Sequence, residues 1–463
     1  MYMLKCAEIV KATGGVLLYG EKNTEIMGIS TDSRKIEQGV LFIPLVGERF
    51  DGHNFVLSSL EAGASASLTQ HDMKPPAGKV IIKVDDTSKA LRDIASYYRS
   101  KFDIPVVGIT GSVGKTSTKD MIASVLKQKF NVLKTEGNFN NEIGLPLTVF
   151  NLNSSHEAAV LEMGMSGFGE ISRLTAIARP SIAVITNVGV SHIEKLGSRK
   201  NILKAKMEIL EGLDDKGLLI LNGDDNLLSG ARGLTGHRTV FYGIEEDADY
   251  QAYNITSMGE QGSFFQITIN NLEYKVVVPV PGLHNVYNAL AAIAAGIELG
   301  IDVEKIIQGI SEYTPGKMRQ NILTANGVKI INDTYNASPQ SMEAAIDVLK
   351  DVAGGNRTIA ILGDMLEMGD WALEAHKDVG KYAALKEVDY IFAVGENGRN
   401  IALGAIEAGA SQERVNMFDC NEDVNHFLGN FLCKNDVILV KGSRGMRMEQ
   451  IVEKLMVDKE NYK

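Results

Sequence analysis

The feature that most restricts this chain is an apolar run that keeps stopping in the same way. "IPVVGIT", "EAAVLEMG", "PSIAVITNVG" and "GLLILNGDD" come first, followed later by "GVKIINDTYNASP", "TIAILGDMLEMG", "DYIFAVGENG" and "DVILVKGSRGM". Each run breaks into glycine, acid, amide or basic residues. Near-continuous apolar runs of this length suit strands buried on both faces, and the helical-period segments between them suit the crossovers that parallel strands require. The expected class is therefore α/β. In an open parallel sheet the ligand crevice lies outside the carboxyl ends of the strands. Thr110 to Lys115, Glu162 and Asn187 to His192 should accordingly converge.

With 463 residues the chain exceeds what one core can organise. Three α/β domains are predicted. Residues 1–102 form a small N-terminal α/β domain, 103–314 a central parallel-sheet domain of the phosphate-loop ATPase kind, and 315–463 a Rossmann-like C-terminal domain. "TPGK", from Thr314, is the hinge between the last two. A net charge of -11 argues against a nucleic-acid partner, which would call for a basic surface. The three cysteines, Cys6, Cys420 and Cys433, have no metal-type or redox spacing and are expected to be free thiols. No secretory leader and no run of the ~18 to 20 apolar residues needed to span a bilayer is found, so a cytoplasmic protein without membrane insertion is expected.

The loop "GITGSVGKTSTKD" carries the sharpest chemistry. A phosphate cradle needs glycines so that backbone N–H groups can point inward, a lysine for the β and γ phosphates, and a hydroxyl for Mg²⁺. Gly111, Gly114, Lys115 and Thr116 supply these, with Ser112, Val113 and Ser117 completing the turn. Ile109 stands where the general pattern has glycine. Glu162 ends an apolar strand, where a carboxylate suits Mg²⁺. His192 ends the next, and strand-end placement leaves structural and ligand roles equally open. Lys206 sits in a helical segment whose default is a solvated face, although a buried lysine shifts its pKa readily and its neutral amine can become a carbamate. Asn138, Asn140 and Asn141 in "TEGNFNNEIGLP" suit either a turn or an uncharged polar ligand. Asn285 in "GLHN" suits a base edge or a helix cap. Asp333, Tyr335, Asn336 and Ser338 end one late strand and Lys441, Ser443 and Arg444 another. There an arginine can take a carboxylate in two bonds or simply face water.

In their order along the chain these motifs resemble the Mur ligase family: "STDSR" and "GERFDGHNF", then "GSVGKTSTK", "TEGNFNNEIGLP", "LEMGMSGFGE", "NVGVSHIEKLGS", "KAKMEI" and "GLHN", then "NDTYNASP", "LGDMLEMG" and "KGSRGM". The resemblance is to the branch that adds D-alanyl-D-alanine to UDP-N-acetylmuramoyl-tripeptide, and it makes the shortened phosphate loop normal. It implies an ADP-forming amide ligase of peptidoglycan precursor synthesis, working through an acyl phosphate, with small-molecule partners and as a monomer. It implies Lys115 on the phosphates of ATP, Mg²⁺ on Thr116 and Glu162, and a second Mg²⁺ on His192 and a carbamylated Lys206. Asn285, Asp333 and Asn336 would hold adenine and ribose. Ser30, Thr31, Asp32, Ser33 and Arg34, with Gly47, Asp51, His53 and Asn54, would hold the uridine-diphosphate end, and Asn138 and Asn141 its muramoyl part. Asp364, Lys441, Ser443 and Arg444 are assigned to the incoming dipeptide. "PGKMRQ" departs from the usual arginine directly after the hinge glycine, leaving Lys317 and Arg319 as candidates for the nucleotide, of which Arg319 is preferred. The nearest rivals are another Mur-type ligase or a folylpolyglutamate synthase, but the last domain has no "DNPR"-like motif. A regulatory phosphate-loop ATPase would explain the cradle but not the asparagine loop or the last domain.

Overall fold

A computed structural model describes residues 2–233, 236–245 and 247–457; positions 1, 234, 235, 246 and 458–463 of the three expected spans lie outside them. Three sheets carry the architecture. A five-stranded sheet of the order Val16–Tyr19, Val80–Lys83, Ala66–Thr69, Val40–Phe42 and Gly28–Ser30 is parallel apart from its first pair. The second sheet has nine strands, and four matter here: β1 (Val106–Thr110), β2 (Ala158–Glu162), β3 (Ile182–Ile185) and β4 (Leu218–Asn222). The third, of six strands, contains β5 (Val328–Asp333), β6 (Thr358–Gly363) and β7 (Val437–Lys441).

In the nine-stranded sheet β1 lies between β2 and β3, with Glu162 opposite Ile109 and Ile185 opposite Thr110. The strand order reverses at β1, so the crossover connections leave a crevice at its carboxyl end. In the six-stranded sheet β7 plays the same part between β5 and β6, with Asp333 opposite Lys441. The two strand-end crevices supply the two sides of one site.

The apolar runs predict wholly parallel sheets in both late domains, and the structure differs at their edges. Tyr250–Ser257 continues the nine-stranded sheet in parallel beside Arg238–Gly243, Ser263–Ile269 and Leu272–Val278 then extend it by antiparallel pairings, and Asn321–Ala325 pairs antiparallel with β5. The burial pattern of Ser263–Ile269, the strand next to the edge, alternates, as a strand covered on one face only requires. That period-2 signal is present in "SFFQITI" but is weaker than the continuous runs.

The cores show which parts pack together. One buried apolar cluster runs from Leu4 through Tyr98 to Phe241, so the first and second sheets share a core. Arg99, 7% exposed, stitches the junction by donating from Nε to Ala178 O and from Nη2 to Ile104 O. The third sheet has its own clusters on each face. Tyr313 still packs in the central core, whereas Asn321 already begins the third sheet, so the connection between them is the covalent hinge.

Candidate active site

The phosphate loop joins β1 to helix α1 (Lys115–Leu126), and its shape depends on Gly111 (φ 155°) and Gly114 (φ 81°). Strand-end residues stake it down. Val113 N donates to Asn187 Oδ1 at 2.9 Å, Thr186 Oγ1 donates to Val113 O at 2.7 Å, and Gly189 N donates to Ser112 Oγ at 2.9 Å. A Cβ on Gly111 would lie 1.9 Å from Thr186 Oγ1. Gly111→Ala is therefore expected to cost about 2 kcal/mol or more of stability by steric overlap at a left-handed site. It should also weaken ADP binding at least about tenfold, since the cradle's N–H groups lose their aim. Titration calorimetry measures the second effect.

Lys115 Nζ donates to Gly111 O at 2.8 Å, and Glu162 at the end of β2 faces the same space. Burial pulls the Lys115 ammonium below its ordinary value, and Glu162 opposes that shift. Glu162 is 2% exposed; its Oε1 accepts from Asn140 Nδ2 at 2.7 Å, while its buried Oε2 has no hydrogen-bond partner. An unpartnered buried carboxylate oxygen beside a phosphate cradle is a donor set for a hard cation. The loop asparagines thus divide their work. Asn140 holds the carboxylate, Asn141 Oδ1 accepts from Ile143 N and Gly144 N to start the following helix, and Asn138 lines the cavity.

His192 (φ 62°) closes the turn after β3. Its Nδ1 donates to Glu367 Oε2 at 2.8 Å, a carboxylate reaching across from the loop after β6. Burial pulls the imidazole below its usual range and Glu367 counters this, with Lys115 and Lys206 adding to the depression. The bond to Glu367 fixes the proton on Nδ1 and leaves the Nε2 lone pair available, as in ligand histidines oriented by a carboxylate. The Glu367 loop is itself clamped: buried His376 accepts from Met365 N at 2.8 Å, and Ser443 Oγ accepts from Leu366 N at 2.9 Å.

Lys206, in α2 (Arg199–Met207), does not lie on a solvated face. It is 2% exposed, and no carboxylate among the described residues forms an ion pair with it. Burial, and then the nearby Lys115, push its amine well below the ordinary lysine value.

A cavity of about 740 Å³ joins the phosphate loop, Glu162 and His192 to the third sheet, and Lys206 is not among its lining residues. Ser112 to Ser117, Asn138, Asn141, Glu162, His192, Asn285, Arg319, Asp333, Asn336 and Lys441 all line it. Arg319 stacks 4.0 Å over the Tyr335 ring and donates from Nη2 to Thr116 Oγ1 at 3.0 Å, whereas Lys317 is not among the lining residues. Asn285 is not the cap of α3 (Leu283–Glu298), a place taken by Gly282. Instead its Nδ2 donates to Pro281 O, and its Oδ1 accepts from Asn288 Nδ2.

Other expected residues lie apart. Lys441, grouped by sequence with Asp364, instead donates to Asp333 Oδ2 at 2.6 Å and to Asn336 O at 3.0 Å, inside the cavity. Asp364 accepts from Gly398 N and Arg444 pairs with Glu449, so these two are engaged within their own domain. Since Lys441 is 2% and Asp333 9% exposed, Lys441→Ala leaves a buried carboxylate alone and should cost about 3–5 kcal/mol. The fluorescence of Trp371, the only tryptophan and a residue of this domain, follows the denaturation. Ser30 to Arg34 form a turn on the first sheet in which Arg34 grips Asp32 through Nε and Nη2. Gly47 and Asn54 belong to the neighbouring loop, where His53 spends both ring nitrogens: Nδ1 donates to Asp51 Oδ1 and Nε2 accepts from Gln70 N. Asp224, Tyr287, His284, Gln320 and Glu367 receive no role from the sequence, although His284 lies in "GLHN", Gln320 in "PGKMRQ" and Glu367 in "LGDMLEMG". Asp224 nevertheless lies in plain view at the end of "GLLILNGDD", and Tyr287 donates to it at 2.8 Å.

Known proteins share this arrangement throughout. The Mur ligase family catalytic domain matches residues 25–99, the Mur ligase middle domain 109–296, and the Mur ligase glutamate ligase domain 318–444. The UDP-N-acetylmuramoyl-tripeptide–D-alanyl-D-alanine ligase of Bacillus subtilis is 45% identical over 97% of each chain. A MurF crystal structure from Acinetobacter baumannii superposes with a TM-score of 0.91 at 33% identity, covering 99% of this chain and 100% of that one. The MurF ligase of Thermotoga maritima in complex with ADP gives 0.82 at 28% identity, covering 92% and 96%. With matches in all three segments and a relative of this identity along nearly its whole length, the chain belongs to the Mur ligase family.

Proposed function

We propose that this chain is an ADP-forming ligase that joins D-alanyl-D-alanine to UDP-N-acetylmuramoyl-tripeptide, a step of cytoplasmic peptidoglycan precursor synthesis. The observation that carries the reading is the buried, half-satisfied Glu162 facing Lys115 and the phosphate loop in a cavity whose far side belongs to another domain. A simple nucleotide switch has no need of that second wall. The substrate assignment rests on the relatives, whose identity extends along the whole chain, and nucleotide binding on the ADP complex of one of them.

In this reading a carboxylate oxygen of the tripeptide attacks the γ-phosphorus of ATP and the bond to the ADP oxygen breaks. The amine of the dipeptide then attacks the acyl carbon, the C–O bond to phosphate breaks, and the amine sheds a proton. Both first reactants are anions, so Lys115 and Arg319 act by neutralising charge and holding the line of attack. Thr116 and Glu162 would hold one Mg²⁺, and His192 with Lys206 a second. These ions would add positive charge that polarises the phosphates. Lys206 fits such a role because burial disfavours its charged form: the neutral nitrogen can bond to the carbon of CO₂ and release a proton, leaving an anionic carbamate. Asn285, Asp333 and Asn336 face the nucleoside. Residues 1–102 take the uridine-diphosphate end, 103–314 the ATP and 315–463 the dipeptide, with one chain sufficing for the reaction.

Mass spectrometry tests this directly. With ATP, a muramoyl-tripeptide bearing lysine or diaminopimelate, and D-alanyl-D-alanine, the expected product gains one dipeptide less one water for each ADP released. ADP release that ignores the dipeptide, or ligation of single amino acids, contradicts the assignment.

A further inference from the structure

The connection between the central and third sheets carries two left-handed residues beside the site. Met318 (φ 59°) and Gln320 (φ 52°) are both left-handed, and they bracket Arg319. Such residues cost on the order of 1 kcal/mol each and persist only where their surroundings impose them. The surroundings are visible here on both sides. From the third sheet's domain, Tyr335 N donates to Met318 O at 3.2 Å, and Arg444 Nη1 rests 3.4 Å from Met318 Sδ. From the central domain, His284 Nε2 lies 3.0 Å from Gln320 Oε1, which also accepts from Asn285 Nδ2 at 3.5 Å.

That clasp is the end of a polar chain that begins at the phosphate loop. Thr118 Oγ1 in α1 donates to Asn288 Oδ1 at 2.8 Å, Asn288 Nδ2 donates to Asn285 Oδ1 at 3.0 Å, and Asn285 reaches Gln320. Thr118, Asn285 and Asn288 are all buried, so the first two links are shielded from competing water, and the chain comes towards the surface only at Gln320. Between the two clasped residues, Arg319 is aimed at Thr116 Oγ1 and stacked on Tyr335.

We propose that Gln320, held by His284, is a positioning residue that fixes the hinge backbone so that Arg319 points at the transferring phosphate. This rests on the ligase reading, but its test separates the two. Gln320→Gly removes the clasp and also relieves the left-handed strain, since glycine adopts that conformation freely. The expected result is a protein whose thermal midpoint is unchanged or higher and whose kcat is lower by about tenfold, with KM for ATP within about twofold because the cradle itself is untouched. In an Arg319→Ala background, Gln320→Gly should then cause no further loss, because its effect passes through that guanidinium. His284→Ala should reproduce the loss of kcat, and His284→Gln, which keeps a donor, should recover part of it. A lower thermal midpoint for Gln320→Gly, or an equal kcat loss with and without Arg319, overturns the proposal. If the parent enzyme fails to form the dipeptide product, the ligase reading fails instead, and that outcome is seen before any variant is made.

Discussion

Lys115→Met is expected to lower kcat by about 10³-fold or more, the range seen when one preorganised cation is taken from a phosphoryl transfer site. Its Nζ already lies within the cradle, 2.8 Å from Gly111 O. Burial works against its charge while Glu162, across the cavity, favours it. A bound triphosphate strengthens that preference for positive charge. Removing the ammonium therefore removes a charge matched to the transition state, without opening a cavity in either apolar core. The thermal midpoint should move little, and KM for the muramoyl substrate, which is expected to bind elsewhere, should stay within about threefold. Lys115→Arg should not restore the rate, because a planar fork does not occupy the point position of an ammonium. Steady-state ADP release measures all three; a Lys115→Met enzyme within tenfold of the parent would show that the loop does not serve catalysis.

Lys206→Met should move stability and activity in opposite directions. The buried amine has no acidic partner among the described residues, so its cost is desolvation without compensation. A methionine of similar length keeps the packing and should raise stability, in buffer free of CO₂, by on the order of 1 kcal/mol or more. The sign with pH follows from linkage. The folded-state pKa is depressed, so between that value and the ordinary lysine value the unfolded chain binds more protons and parent stability rises with pH. The advantage of Lys206→Met should therefore shrink as pH rises through about 10.4, where the unfolded lysine is half protonated, and level off above it, where both states are neutral. Activity should fall about 10²-fold, comparable to losing one group that supports a metal-assisted step. Bicarbonate should stabilise the parent but not the variant. A variant of full activity, or a parent indifferent to bicarbonate, would leave Lys206 a packing residue.

What sequence can and cannot reveal follows from how local each signal is. The strand-end rule locates Glu162, His192 and the phosphate loop, because each is fixed by the strand that immediately precedes it. It cannot say that Lys206 is buried, since an isolated lysine in a helical segment has the same pattern whichever face it takes. The pairing of Lys441 with Asp333 depends on β5 and β7 being neighbours in register, and β7 lies more than a hundred positions away in the chain. The same holds for Glu367, whose carboxylate reaches His192 only because two domains meet. The antiparallel edge strands are hard to see because half-covered strands alternate, and their apolar content is diluted. Among the motifs of the first domain, Asp51 and His53 show the opposite limit. The resemblance implies that they serve the uridine-diphosphate end, and the structure adds what no motif tells, that His53 Nδ1 is bonded to Asp51 and Nε2 to Gln70 N beyond the loop.

The central claim is that the phosphate gripped by the loop passes to a carboxylate and not to water. Oxygen-18 placed in the terminal carboxylate of the tripeptide tests it most directly, with the released phosphate weighed by mass spectrometry in unlabelled water. Transfer through an acyl phosphate predicts one labelled oxygen in each phosphate, none in ADP, and one left in the new amide carbonyl. Phosphate released without oxygen-18 would mean that its fourth oxygen came from water, and would contradict the ligase mechanism outright.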